Sequence, residues 1–211
     1  MTTGQLTLYY SPRSRASAVR ALLDELGAPH ELAVLNMRAR AQKSPEYLAI
    51  NPLGKVPALT HGDAILTETV AIMLYLGDLY PGAGLTPMPG DPRRAAYLRW
   101  MVFYAASFEP ALSDRMYSHV PPANESSYGT FDEVIDILGD QLGKGPYILG
   151  DEIAVADILW GASLQWALGF KAIPDRAVFR DYAARVTARP SFQRLFEDEA
   201  RLAAEHEAAA A

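Results

Sequence analysis

The hydrophobic pattern at the start of the chain predicts a strand, a helix and a second strand. Residues 5–10 alternate between apolar and polar side chains, which is typical of a half-buried β-strand. Between that strand and Gly27, four apolar residues recur three or four positions apart, as they do on one face of a helix. Residues 30–35 return to strand character. Because a helical crossover joins the two strands, they are predicted to be parallel.

A second pair of strands is predicted to be antiparallel. Residues 56–60 and 64–67 have strand character and flank a three-residue turn at positions 61–63. A short helix is expected before this hairpin and a longer one after it, over residues 68–80. The order of elements predicts an α/β domain with a four-stranded mixed sheet, the thioredoxin-like arrangement, over residues 1–80.

Beyond residue 80 the pattern becomes entirely helical. Residues 81–92 are rich in proline and glycine and are a predicted linker. Residues 93–211 carry apolar side chains at helical spacing and predict an all-α helical bundle domain. The segment 153–168 is apolar on nearly every side, so it is expected to be the central helix of that bundle.

The composition excludes several kinds of chemistry. The chain has 211 residues, of which 50% are hydrophobic and 21% charged, as in ordinary folded proteins. It has no cysteine, which excludes thiol redox chemistry, cysteine nucleophiles and thiolate zinc sites. The four histidines show no metal-ligand spacing, so no metal is expected.

The charge distribution argues against nucleic acid as a partner. The net charge is −6, and the excess of acidic residues lies entirely in residues 81–211. No basic stripe of the kind that binds phosphate backbones is visible. The most apolar stretch, 153–170, contains Asp157 and fits a buried helix better than a membrane span. The first ten residues lack a secretory pattern, so a cytoplasmic location is expected.

Four short motifs carry the most specific information in the chain. They are Tyr-Tyr-Ser-Pro at 9–12, Asn-Pro-Leu-Gly-Lys-Val-Pro at 51–57, Leu-Thr-Glu-Thr at 66–69, and Gly-Asp at 150–151 followed by Val-Ala-Asp at 155–157. In this order the chain resembles the cytosolic glutathione S-transferases over essentially its whole length. The opening motif is most similar to that of bacterial beta-type members, but the cysteine that follows their proline by three positions is Arg15 here.

The resemblance implies a glutathione site in the first domain. In the family the bond between Val56 and Pro57 is cis, which turns the Val56 backbone outward to pair with the peptide backbone of glutathione. Glu68 and Thr69 open a helix, and the family uses this pair to bind the γ-glutamyl end. From the residues alone, Pro57 equally well begins a strand, and Glu68 belongs to a simple capping turn. The candidate partners of the glycine carboxylate are Lys55 and one of Arg38, Arg40 and Lys43.

Ser11 is the predicted catalytic residue. It lies between the first strand and the first helix, where its hydroxyl and the N–H groups of the helix face a bound sulfur. Tyr10 and Ser14 are alternative hydroxyl donors, because alignments between classes of the family slip by a residue or two in this loop. Arg15 either adds a positive field at the sulfur or pairs with a surface carboxylate.

The resemblance also implies a pocket for a small hydrophobic electrophile, lined by aromatic residues of the second domain. For each of these residues the alternative is a place in the bundle core or in a dimer contact. Ala154 replaces the Ser or Thr that usually caps the helix of Asp157 in the family, a change that concerns folding. The pocket candidates are Phe103, Tyr104, Phe108, Tyr117 and Trp166.

Two functions remain open from the sequence. The first is a glutathione transferase with a role in detoxification, which activates the thiol of glutathione for attack on an apolar electrophile. The second is a non-catalytic, transferase-like protein that binds glutathione or acts in regulation. The family implies a homodimer in either case.

Overall fold

A four-stranded mixed sheet organises the first part of the structure, a computed structural model that describes residues 4–209. The strands are β1 (Leu6–Tyr10), β2 (His30–Val34), β3 (Ala58–His61) and β4 (Ala64–Thr67), in the spatial order β2-β1-β3-β4. β1 is parallel to β2 and antiparallel to β3, and β3 is antiparallel to β4. The predicted thioredoxin-like sheet is therefore confirmed.

Helices account for most of the remaining chain. Those that flank the sheet in sequence are α1 (Ala16–Glu25), α2 (Pro45–Ile50) and α3 (Thr69–Leu79). The later ones are α4 (Arg94–Phe103), α5 (Glu109–Met116), α6 (Phe131–Leu142), α7 (Val155–Gly169), α8 (Ala177–Thr187) and α9 (Pro190–Ala208). No helix within residues 4–209 has both the length and the apolar character that crossing a membrane requires.

Two compact units are present, and they divide the chain differently from the predicted domains. One unit combines the described residues up to Ala83 with those from Arg189 onward, and the other is Gly84–Ala188. The change from the first to the second falls inside the predicted linker. α9, however, belongs with the sheet, whereas the sequence placed it in the helical domain. Its apolar stripe packs on α1. Periodicity alone shows that one face of a helix is buried, but it does not show which element that face contacts.

Buried carboxylates connect α9 to the first unit. At the end of α1, Glu25 accepts hydrogen bonds from Arg189 Nε (2.9 Å) and Nη2 (2.6 Å) and from the Ser191 hydroxyl (2.5 Å). Nearer the start of α1, the Ser17 hydroxyl donates to Glu199 of α9. The two contacts hold the helix against both ends of α1.

The second unit is built around α7, as the sequence predicts. Its residues from Val155 to Trp160 are buried, and Gly161 lies so close to α8 that a Cβ there would be 2.4 Å from Val186 Cγ1. Between α4 and α5, residues 104–108 form a turn of π-helix. Pro110, which has no N–H to donate, follows this turn directly as the second residue of α5.

Candidate functional site

The sheet brings three of the predicted binding segments to one edge. β1 ends at Tyr10, and its antiparallel pairing joins Tyr9 to Ala58, so the residues just before β3 lie beside those just after β1. β3 in turn pairs Ala58 with Thr67, the last residue of β4. The start of α3 therefore emerges at the same edge. Residues 11, 56 and 68 are distant in sequence but become neighbours because the strands share this register.

A buried asparagine shapes the segment before β3. The Asn51 amide donates to the carbonyl oxygen of Lys55 over 2.9 Å, and the Tyr47 hydroxyl donates to the same oxygen. Gly54 has φ +60°, and a Cβ at this position would lie 2.6 Å from the carbonyl oxygen of Gln42. The Asn-Pro-Leu-Gly part of the motif thus builds the turn that presents residues 55–57. The motif by itself does not reveal this role of Asn51, because the role depends on a contact with the Lys55 carbonyl oxygen in the folded chain.

The Val56 backbone is available to a ligand. The bond between Val56 and Pro57 is cis, as the family resemblance implies. Neither the N–H nor the carbonyl of Val56 takes part in a hydrogen bond within the described residues 4–209. An extended peptide can therefore pair with this residue in the manner of an added strand.

Glu68 has an unusual backbone conformation at the start of α3. Its φ of 68° and ψ of 116° lie outside the regions that L-residues favour, and its side chain makes no capping hydrogen bond. Residues held in such conformations cost free energy and cluster at ligand sites. Thr69 is the first residue of α3, so its backbone N–H is among those that have no partner inside the helix. This pair offers a carboxylate, a hydroxyl and N–H groups at one point.

The three candidate hydroxyls have different surroundings. The Tyr10 hydroxyl is buried and donates to Glu199 Oε1 over 2.7 Å; burial and this carboxylate raise the pKa of Tyr10 well above its usual value. The Ser14 hydroxyl donates to the carbonyl oxygen of Ser11 (2.7 Å) and accepts from the N–H of Ala16 (3.2 Å). Ser11 as a residue is only 4% exposed, and its hydroxyl makes no hydrogen bond within the part of the chain that the structure describes. Of the three, Ser11 is the hydroxyl left uncommitted.

The cations near this edge are mostly exposed. Arg38 Nη2 lies 3.0 Å from Glu207 Oε1 in a surface ion pair, which contributes little to stability and is easily exchanged. Lys43 Nζ donates to the carbonyl oxygen of Leu53 over 3.0 Å. Lys55 is exposed on the turn next to Val56, while Arg15 is half-buried immediately before α1. Lys55 is thus the cation that lies closest in sequence to the available backbone.

Glu199 is the site neighbour that the sequence analysis missed. It lies on the buried face of α9, seven positions after Phe192 and four after Leu195. That spacing was a usable signal, since a carboxylate on an apolar stripe is expected to have specific partners. Its partners, however, lie in residues 10–17, and only the folded chain reveals them.

The predicted pocket residues do not share one environment. Tyr104 and Phe108 are buried against Trp160, with ring centroids 5.3 Å and 5.0 Å from it. They belong to the core of the second unit, because the helical stripe that carries them faces inward. Half-buried Phe103 joins the edge of the same cluster, Trp166 pairs with Phe170, and Tyr117 is 81% exposed.

Asp157 is a structural carboxylate in the second unit. It accepts hydrogen bonds from the N–H of Ile148 (2.7 Å), the N–H of Ala154 (2.8 Å) and the Tyr182 hydroxyl (2.5 Å). Burial raises its pKa to about 6, against the effect of these donors. The bond to Ala154 preserves one half of a capping box although Ala154 has no hydroxyl to supply the other half.

Comparisons with known proteins agree with this geometry. Residues 4–78 match the family model described as the N-terminal domain of glutathione S-transferase. Glutathione S-transferase F13 of Arabidopsis thaliana is 33% identical over 164 residues, covering 71% of this chain and 74% of its own length. The chain belongs to the glutathione S-transferase family.

Solved structures extend the similarity to nearly the whole chain. A glutathione transferase from Methylococcus capsulatus has a TM-score of 0.76 at 30% identity and covers 92% of this chain and 98% of its own. A glutathione transferase homologue from Sulfitobacter, solved with bound glutathione, has a TM-score of 0.75 at 29% identity, covering 94% of this chain and 99% of its own. Both the sheet unit and the helical unit therefore have counterparts in this family.

Proposed function

We propose that the chain is a glutathione transferase in which the Ser11 hydroxyl donates a hydrogen bond to the sulfur of bound glutathione. The uncommitted hydroxyl of Ser11, beside the available Val56 backbone, is the observation that carries this proposal. Glutathione lies along Val56 as an added strand, and its γ-glutamyl end lies at Glu68 and Thr69. Transferase activity itself follows from membership of the family, whose relatives carry that name.

A hydrogen bond from Ser11, together with the dipole of α1, is strong enough to lower the pKa of the glutathione thiol as far as catalysis requires. A free thiol has a pKa of about 8.5, so only a few per cent is thiolate at neutral pH. Lowering that pKa to about 6.5 requires roughly 2.7 kcal/mol of preference for the anion. A hydrogen bond to a charged group contributes about 1.5–3 kcal/mol. The N-terminal dipole of α1 adds about 0.3–1 kcal/mol, so no metal or basic side chain is required.

Charge assigns the remaining contacts of glutathione. Lys55 is the proposed partner of the glycine carboxylate, and Arg38 joins it if the surface ion pair with Glu207 opens. A cation at this place balances a ligand whose two carboxylates outnumber its single ammonium group. Arg15 supplies positive field near the sulfur. Pro57 fixes the direction of the Val56 backbone.

The second substrate is proposed to be a small hydrophobic electrophile. Phe103 and Trp166, the half-buried members of the predicted aromatic set, are the proposed contacts in the second unit. The proposed setting is a cytoplasmic homodimer that acts in detoxification, without a metal, a nucleic acid or a membrane as partner. The enzyme names of the relatives favour this function over a non-catalytic glutathione-binding protein.

Serine substitution tests the proposal. In S11A, the pH at which bound glutathione ionises, followed by the ultraviolet absorbance of the thiolate, is expected to rise by about one to two pH units. The turnover of an aryl halide at pH 7 is expected to fall by about 3- to 25-fold, because a rise of one to two units from a pKa of about 6.5 lowers the thiolate fraction by that factor.

Two matched variants identify the donor. Y10F and S14A are expected to raise the ionisation pH less than S11A, since both hydroxyls already have protein partners. A larger effect of either variant would move the donor role to that residue. Wild-type protein that binds glutathione but turns over no member of a broad electrophile panel would favour the non-catalytic alternative.

A further inference from the structure

One carboxylate oxygen of α9 accepts three hydrogen bonds from residues 10–17, the segment that carries Ser11. Glu199 Oε1 accepts hydrogen bonds from the Tyr10 hydroxyl (2.7 Å), from the backbone N–H of Arg13 (3.0 Å) and from the Ser17 hydroxyl. These donors lie before, inside and after the turn that joins β1 to α1. Only 7% of Glu199 is exposed, so water competes weakly for the three hydrogen bonds.

The loop needs such an anchor because its backbone is strained. Arg13 has φ 59°, a left-handed conformation that residues other than glycine rarely adopt. The N–H of this same residue donates to Glu199. Without the acceptor, Arg13 would lose the hydrogen bond that holds it in place, and residues 11–15 would be free to relax. Ser11, two residues earlier, would then move away from its present position.

We propose that Glu199 is a positioning residue for the reaction, one that acts through the 10–17 segment to hold the Ser11 hydroxyl where the sulfur of glutathione binds. The proposal rests on the role of Ser11 given above. Glu199 itself touches neither substrate. Its contribution is to hold the Ser11 hydroxyl, which donates to the thiolate, in a fixed orientation. A donor that is already oriented stabilises a developing anion without reorganisation.

Glu25 provides a matched control on the same pair of helices. It is also a buried carboxylate of the α1 and α9 contact, but its partners are Arg189 and Ser191. These residues lie at the far end of α1 from Ser11. A variant at Glu25 therefore weakens the docking of α9 without removing any hydrogen bond of residues 10–17.

The test compares E199A, E199D, E199Q and E25A in the full-length protein with glutathione and an aryl halide. In E199A the pH of thiolate formation in the glutathione complex is expected to rise by about one unit. The kcat is expected to fall about threefold at pH 7 and close to tenfold at about pH 5.5, because a rise of one unit from a pKa of about 6.5 lowers the thiolate fraction by those factors. The KM for glutathione is expected to stay within about threefold, since the proposed binding contacts at Val56, Glu68 and Thr69 remain.

The conservative variants separate positioning from folding. E199Q keeps an oxygen at the Oε1 position and is expected to restore most of the wild-type ionisation pH. E199D retracts the carboxylate by one methylene and is expected to behave as E199A does, which gives the test a second variant if E199A does not fold. E25A is expected to lower the melting temperature and to leave the ionisation pH at the wild-type value.

The outcomes distinguish this proposal from the one on Ser11. If S11A raises the ionisation pH while E199A and E199D leave it unchanged, the positioning role is overturned and the Ser11 donor stands. If E199A and E25A raise it equally, Glu199 acts only through general stability and the proposal also fails. If E199A raises it and S11A does not, the segment is positioned by Glu199 but the sulfur donor is a different group.

Discussion

At the scale of single residues, three hydroxyls within five positions differ in what they can do. The alternation of β1 turns Tyr10 into the core, where Glu199 takes its hydroxyl. The Ser14 hydroxyl makes two hydrogen bonds to backbone groups at the turn before α1. Ser11 lies between them and keeps its hydroxyl uncommitted among residues 4–209. Sequence placed all three near the turn between the first strand and the first helix, and the hydrogen-bond partners in the structure distinguish them.

Glu68 provides a prediction at the residue scale. The variant E68A is expected to raise the Kd of glutathione at least about tenfold, since a charged hydrogen-bond partner contributes about 1.5–3 kcal/mol. Its free energy of unfolding is expected to stay within about 0.5 kcal/mol of the wild type, because the side chain is exposed. Calorimetric titration with glutathione and urea unfolding measure the two quantities. Unchanged affinity would remove Glu68 from the proposed site.

At the scale of elements, the order of strands and helices matches the periodicity, but β3 spans Ala58–His61 instead of the predicted 56–60, so the hairpin turn has two residues and not three. The hairpin of β3 and β4, the short helix α2 and the apolar α7 were all visible in the sequence, because their signals are local. The aromatic stripe of α4 was visible too, but its spacing indicated only that one face is buried. The structure packs Tyr104 and Phe108 against Trp160. Periodicity does not say what a buried face contacts.

Asp157 gives a prediction for α7. In D157N the new amide would face the N–H of Ala154, donor against donor, and the free energy of unfolding at pH 7 is expected to fall by about 2 kcal/mol. Burial raises the pKa of Asp157 to about 6, so the folded wild type binds a proton more tightly than the unfolded chain. The contribution of Asp157 to wild-type stability therefore declines as pH rises from about 4 to about 6, whereas Asn does not titrate.

Urea unfolding at several pH values measures this effect. The stability difference between wild type and D157N is expected to be widest near pH 4 and to narrow by up to about 3 kcal/mol toward pH 7. Asp151, an exposed acid near the start of the same helix, is the control, and D151A is expected to differ little from wild type at any pH. A difference that widens with rising pH would contradict the burial argument.

At the scale of the whole molecule, the chain returns at its end to the unit with which it began. α9 packs on α1, and its two buried carboxylate contacts reach both the far end of α1 and the loop before it. The last helix thus contributes to the same unit as the proposed glutathione site. A linear division at residue 92 misses this, because sequence order does not reveal which surface a terminal helix covers.

Arg189 gives a prediction at this scale. Removing its side chain in R189A leaves Glu25 buried without its cation, and the free energy of unfolding at pH 7 is expected to fall by about 3 kcal/mol. Burial alone would raise the pKa of Glu25, but the hydrogen bonds from Arg189 and Ser191 hold it below its usual value. The stabilisation is therefore present above the unfolded pKa of about 4.3 and is lost as pH falls through the lower, folded pKa.

Denaturant unfolding against pH checks both the size and the sign. The stability difference between wild type and R189A is expected to shrink in acid, as Glu25 becomes protonated in both proteins. R194A is the matched control, since Arg194 makes a longer and more exposed ion pair with Asp24, at 3.3 Å. Its effect is expected to stay within about 0.5–1 kcal/mol. An equal loss of the free energy of unfolding in R189A and R194A would indicate that the burial of Glu25 does not increase the cost of removing its cation.

The sequence by itself determined the strands, the helices and the four motifs, because hydrophobic period, proline, glycine and capping residues act over a few positions. It also placed Ser11 between the first strand and the first helix, Val56 at the start of a strand and Glu68 at the start of a helix. Only the tertiary structure decided that these three positions share one edge of the sheet, that α9 covers α1, and that Glu199 accepts hydrogen bonds from residues on both sides of Ser11. Each of those facts depends on contacts between residues far apart in sequence, which form only when buried polar groups find their partners in the packed chain.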